Sequence, residues 1–438
     1  MLPVIQLKVV RNSLHPWIFT KMVAHPKGRP RAGTLVEVRT REGEFVGRGF
    51  YHPRQTIAVR LLTEDQGEEI DEAFFLRTLA RAKALREDAL KLPERTDAYR
   101  LVHAEGDGLS GIVIDKFAGV LVVEAFTAGA LAVGEWIASA LRELYPRARV
   151  AFRASARTEE REGVSFAALT RKHPLPEDVE IRENGLKLRV DFSSIHKTGY
   201  FLDQRENRLA AGELARGREV FDLFSYTGGF ALQALRGGAK KVVAVELDEN
   251  AIELARENAR HNGLPAQGQE LEFRHADVFD FLRECVAEGR QADLVIADPA
   301  KLAQVKGELP RALRTYGDLN RLAVQAVVPG GIFVTCSCSG LVSEETFRSV
   351  VSRSAALAGV ELQIFRVTGA GPDHPVSSVF PEGRYLKVIF ARVLARGLGE
   401  GHASRKDAGK GLATKTPRHE GTPRRGVPQS RDPAQASS

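Results

Sequence analysis

Residues 220–264, VFDLFSYTGGFALQALRGGAKKVVAVELDENAIELARENARHNGL, leave few architectures open. An apolar run over 220–224 breaks at the paired glycines Gly228 and Gly229. Phe230, Leu232, Ala234 and Leu235 then recur at helical spacing until Gly237 and Gly238 stop the helix. A second apolar run, 242–245, ends in the acid Glu246, and another amphipathic helix opens near Asp248. Strand, glycine turn, helix and strand in that order specify an α/β unit with a carboxylate at the second strand's end. The turn glycines let backbone approach a ligand, and an acid about 20 residues on suits a ribose diol. Thr227-Gly228-Gly229-Phe230 does not supply the G-x-G-x-x-G of a dinucleotide site.

Further motifs follow in order. Residues 273–279 carry Asp277, and the mostly apolar run 292–297 ends in Asp298-Pro299-Ala300-Lys301. Residues 331–334 lead into Thr335-Cys336-Ser337-Cys338-Ser339-Gly340. Taken together these resemble the motifs of class I S-adenosylmethionine methyltransferases. The Cys-Ser-Gly after the fifth strand is similar to that of enzymes methylating carbon-5 of cytosine in ribosomal RNA.

Other stretches extend the resemblance to nearly the whole of residues 5–394. His15-Pro16-Trp17-Ile18-Phe19 and Gly49-Phe50-Tyr51-His52-Pro53 resemble a PUA domain, whose short β-like runs, 34–39, 45–51 and 56–62, suggest a small barrel. His103-Ala104-Glu105-Gly106-Asp107-Gly108-Leu109 resembles the family's central α/β module, and Lys197-Thr198-Gly199-Tyr200-Phe201-Leu202-Asp203-Gln204-Arg205 its pre-catalytic motif. Phe380-Pro381-Glu382-Gly383-Arg384-Tyr385-Leu386-Lys387 is similar to its carboxyl-terminal signature. The resemblance is to the PUA-domain-containing, class I 23S rRNA cytosine-C5 methyltransferases. It implies an α/β fold: a PUA barrel over residues 1–67, the central module over 68–179, and a Rossmann-like methyltransferase domain over 180–395. A hairpin turning at Asn184-Gly185 opens that last domain.

The implied cofactor is S-adenosylmethionine. By the same resemblance Phe201, Asp203 and Arg205 border its methionine end, an acid pairing the ammonium and an arginine the carboxylate. Asp222, Ser225, Gly228 and Gly229 line the pocket, with Glu246 at the ribose, Asp277 at the adenine side and Asp298 at the methyl-transfer site. Carbon-5 of cytosine is a poor nucleophile, and adding a thiolate at carbon-6 activates it, so the chemistry needs a cysteine. Cys338 is the expected nucleophile, Cys336 a rival two residues earlier, and Asp298 the partner of the cytosine N3/N4 edge. Cys285 shares a helical face with Val278, Phe281 and Leu282 and is read as core. The family's Asp-Pro-Pro-x-Phe is here Asp298-Pro299-Ala300-Lys301-Leu302, which loosens the turn and removes an aromatic from the base's side. The base that takes the carbon-5 proton is unassigned between Lys301 and water.

Composition fits this reading. Of a net charge of +7, the residues from 397 on hold eight basic against four acidic, a basic tail with too little apolar surface to order itself. The remaining excess suits a polyanionic partner, which the resemblance implies to be ribosomal RNA of the large subunit. Three cysteines make no disulfide framework and point to a reducing cytoplasm. No apolar run approaches the roughly 18 residues of a membrane span, and no cluster has metal-ligand spacing. Oligomeric state is open, a homodimer being one option. Two alternatives stand: a base-nitrogen methyltransferase of the same fold, and a non-catalytic RNA-binding assembly factor.

Overall fold

Seven strands pair into one sheet. With the helices between them they are β1 (Glu219–Leu223), α1 (Gly229–Arg236), β2 (Lys241–Glu246), α2 (Glu249–His261), β3 (Glu270–His275) and α3 (Val278–Glu288). There follow β4 (Ala292–Ala297), α4 (Leu309–Gln325), β5 (Val327–Ser337), α5 (Glu344–Leu357), β6 (Val360–Thr368) and β7 (Lys387–Ala395). The order is β3-β2-β1-β4-β5-β7-β6. All strands run parallel except β7, which lies antiparallel between β5 and β6. The computed structural model describes residues 2–24, 28, 30–193 and 199–395. The expected basic tail and residues 197–198 of the pre-catalytic motif lie outside the described residues.

The central strands are apolar on both faces because helices cover both. Val220, Val242, Ala244, Leu294 and Ile296 meet α1 and α2, whereas Phe221, Val243, Val245, Val295 and Ala297 meet α3, α4 and α5. Asp248 and Asp277 occupy the N-caps of α2 and α3, each carboxylate accepting two backbone N–H groups of the first turn. The edge strands β3 and β6 show exposed faces and break the apolar pattern.

The expected hairpin forms as Asp178–Glu183 and Leu186–Asp191. Its two-residue turn sets Asn184 at φ 48° and Gly185 at φ 83°, the positive dihedrals a type I′ turn requires. Upstream, strands Ala98–His103, Ile112–Phe117, Val120–Ala125 and Arg149–Arg153 form a four-stranded sheet. Helices Glu72–Ala84 and Gly134–Leu144 share its core. At the amino end five strands make a separate sheet with its own apolar centre. A Leu7–Val23 bridge ties the first strand's exit to the chain after the second, so the sheet's two ends meet, as a small barrel requires.

Trp17 joins three sections of the chain. Its indole N–H donates to Glu105 Oε1 at 2.8 Å, its ring meets Phe380 at 4.8 Å, and the Arg60 guanidinium lies 4.9 Å over it. His15 touches the same Phe380 ring and pairs with Glu382. The aromatic motif of the first section is thus bound to the carboxyl-terminal signature. Among the described residues no helix is long and apolar enough to cross a membrane.

Candidate active site at the carboxyl ends of the strands

The ends of β1, β2, β4 and β5 converge with residues 200–208 and 385–386 around a cavity of about 750 Å³. Open parallel sheets place ligands here, where the strand order reverses between β1 and β4. Phe201, Asp203, Ser225, Gly229, Glu246, Asp298 and Cys338 all line it.

Glu246 is held by backbone. Its Oε2 accepts the Tyr226 N–H at 2.8 Å, and its Oε1 accepts those of Leu247 and Asp248 at 2.7 and 3.0 Å. Three of the carboxylate's acceptor sites are thus used, and Oε2 keeps a lone pair for a ligand hydroxyl. Phe224 and Tyr226, on either side of Ser225, sit at φ 63° and 49°, left-handed conformations that side chains rarely adopt. The Tyr226 hydroxyl donates to Gly199 O at 3.1 Å and its ring meets Phe201 edge-on, which hold the loop in that shape. Among the described residues the buried Ser225 Oγ has no hydrogen-bond partner. A Cβ on Gly229 would come within 2.9 Å of Arg208 Cδ and 3.2 Å of the Tyr200 hydroxyl. An unsatisfied donor, a carboxylate with an acceptor site left for a hydroxyl and a largely apolar wall fit an S-adenosyl ligand.

Four expected contacts lie outside the cavity lining. Arg205 points into protein: its guanidinium donates to both Asp373 oxygens, at 2.8 and 3.1 Å, and is 1% exposed. It is therefore committed to a buried ion pair and does not face a cofactor carboxylate. Arg208, one helical turn on, lines the cavity instead, its fork held by Glu183 and by Phe201 O. Asp277 caps α3 through Oδ1. Asp222 lies beneath the floor, where Oδ2 accepts the Ala231 N–H at 2.8 Å and Oδ1 has no partner among the described residues. Burial pushes its carboxyl up to about 8. Gly228, at φ 83°, forms the turn and faces Ala255.

The cysteines separate by exposure. Cys285 is buried in the α3 core. Cys336 is fully buried, and burial together with the nearby Asp298 carboxylate pushes its thiol well up. Cys338 alone opens to the cavity, its Sγ 3.9 Å from Pro299 O. The residues on either side of it are pinned. Ser337 Oγ donates to the buried Tyr316 hydroxyl at 3.0 Å, and Ser339 Oγ lies 3.1 Å from it. Ser339 Oγ also accepts the Leu302 and Ala303 N–H groups, both at 3.2 Å. The turn that Ala300 was expected to loosen is thus held to the cysteine loop.

Tyr200, Arg208 and Tyr385 line the site without having been singled out for it. Tyr385 donates to Asp203 Oδ2 at 2.6 Å. His374 is buried between Asp373 and the His103 ring, away from the cavity. Among the described residues no metal-binding cluster is found.

The fold, cavity and carboxylate placement define an S-adenosylmethionine-dependent methyltransferase. The profile of that family matches residues 148–362, and a PUA-like domain matches 12–64. The chain belongs to the ribosomal RNA large subunit methyltransferase I family. It is 41% identical over 385 residues to the Aeromonas hydrophila member, covering 86% of this chain and 95% of that one. With the Photobacterium profundum member it shares 42% over 376 residues, 85% of this chain and 94% of the other. Among solved structures, a candidate SAM-dependent methyltransferase from Streptococcus mutans superposes with a TM-score of 0.73 at 20% identity, covering 89% of this chain and all of that one. SMU.776, a candidate methyltransferase solved with SAH, gives 0.74 at 19% identity over 90% of this chain and all of its own length.

Proposed function

We propose that the protein methylates carbon-5 of a cytidine in 23S ribosomal RNA through a transient bond between Cys338 and carbon-6. The carrying observation is that Cys338, alone of the three cysteines, opens into the cavity that Glu246 and Asp298 share. Glu246 would hold the ribose, Arg208 and Asp203 the methionine end, and Ser225 a further polar atom. Bound there, S-adenosylmethionine supplies an electrophilic methyl group.

The chain's own residues then do the following. The Cys338 thiolate adds to carbon-6, and the C5–C6 π pair moves to carbon-5 as Asp298 hydrogen-bonds the N3/N4 edge. Carbon-5, now nucleophilic, takes the methyl group. Transfer of the carbon-5 proton to a water in the cavity returns the C–H electron pair to the ring as the C5–C6 double bond and expels the thiolate. RNA containing 5-fluorocytidine cannot complete that transfer, so it should trap an adduct on Cys338. Normal turnover by Cys338→Ala with no such adduct would instead indicate methylation of a base nitrogen.

A further inference from the structure

Lys387 is the buried lysine of the carboxyl-terminal signature, and the mechanism above leaves it unused. At 3% exposure it is nearly sealed from water. Its Nζ donates to Ser339 O at 2.7 Å and to Tyr385 O at 2.8 Å. Ser339 is the residue after the nucleophile, and in the β5–β7 ladder Lys387 pairs with Ser337, the residue before it. The ammonium is therefore fastened to the residue after the cysteine, and the Lys387 backbone is paired with the residue before it.

Other groups around Cys338 oppose a thiolate. The Pro299 carbonyl faces the sulfur, and the Asp298 carboxylate lines the same cavity. Of the cations, Arg208 is paired with Glu183 and Lys301 is exposed and screened by water, whereas Lys387 acts through protein. We propose that Lys387 is a positioning residue whose fixed charge keeps Cys338 ionised for attack on the pyrimidine. The Cys338 proton goes to water through the cavity mouth, and Lys387 retains its own. This rests on Cys338 being the nucleophile.

Burial pulls Lys387 down to about 8, against a raising effect of Cys338; Lys301 lowers it further and Glu344 raises it. The ammonium is therefore present at neutral pH and lost above about 8.

The test is the pH dependence of Cys338 alkylation by iodoacetamide in the full chain carrying Cys336→Ala, read by peptide mass spectrometry. The midpoint should lie below the ordinary thiol value of about 8.5. In Lys387→Met it should rise by about one pH unit or more. Lys387→Arg should keep it low, and Lys301→Met should move it less. Equal midpoints in parent and Lys387→Met overturn the proposal. Should the Lys387 variants fail to fold, a parent midpoint at or above about 8.5 overturns it alone. A low midpoint that rises in Lys387→Met, but with no 5-fluorocytidine adduct, sinks the carbon-5 reading and with it the catalytic role of the Lys387 charge; an adduct with an unshifted midpoint sinks this proposal alone.

Discussion

Replacing Arg205 by methionine separates a structural role from a cofactor-binding one. In the folded chain Arg205 gives two hydrogen bonds to Asp373, and both side chains are essentially sealed from water. Removing the arginine leaves a buried carboxylate with the Arg100 backbone N–H at 2.9 Å and the neighbouring His374. Breaking a buried pair from one side costs about 3–5 kcal/mol. At a urea m-value of about 3 kcal/mol/M the unfolding midpoint should fall by about 1 M or more. S-adenosylmethionine affinity, measured by calorimetry on the folded variant, should change less than about twofold. An arginine gripping the cofactor carboxylate would instead lose at least about 3 kcal/mol, roughly 100-fold in Kd. Such a loss of affinity with an unmoved urea midpoint would refute the reasoning. The double variant Arg205→Met/Asp373→Leu, which removes both charges, should recover part of the lost stability. Acid adds a second readout. Burial alone raises the Asp373 carboxyl, but His374 and Arg205 overcome it and hold it well below the usual range. Its contribution is thus complete above the unfolded value near about 3.9 and lost as pH falls through the lower folded value. The Arg205→Met chain should therefore unfold at a higher pH on acidification.

Three further outcomes are expected. Cys336→Ala should retain most methyl transfer to rRNA in a tritium-incorporation assay, while Cys338→Ala should lose at least about a thousandfold, the order seen when a nucleophile is removed. Asp222, pushed up to about 8 by burial, binds its proton more tightly folded than unfolded, so it contributes a loss of stability as pH rises from about 4 to 8. In Asp222→Asn, urea midpoints across that range should show a flatter decline. Tyr316→Phe removes one hydroxyl serving both Ser337 and Ser339; it should cost about 1–3 kcal/mol in urea unfolding and lower kcat more than cofactor affinity.

Local chemistry in the sequence was enough for the strand ends. Runs apolar on both faces mark buried parallel strands, so β1, β2 and β4, with Glu246 and Asp298 at their tips, could be read directly. The edge strand β6, with Glu361, Gln363 and Arg366 among its apolar residues, carries no such mark and was missed. Arg205 was misplaced because its partner lies 168 residues away, a distance no motif reveals. Arg208 was recoverable: three positions on, it occupies the same helical stripe with a different outlook. Ala300 and Leu302 pointed to a slack turn, but the Ser339 hydroxyl that restrains it belongs to another strand's loop.

The Trp17 junction has a mechanical consequence. With the Trp17 indole bonded to Glu105 and meeting Phe380 edge-on, the amino-terminal module is bolted to the catalytic body, not strung from it. On the proposed function, an RNA helix seated on that module would meet the cavity at a set offset, and the module would act as a ruler for which nucleotide reaches the sulfur. Shaving the bolt with Trp17→Ala should blur that choice before it weakens the grip.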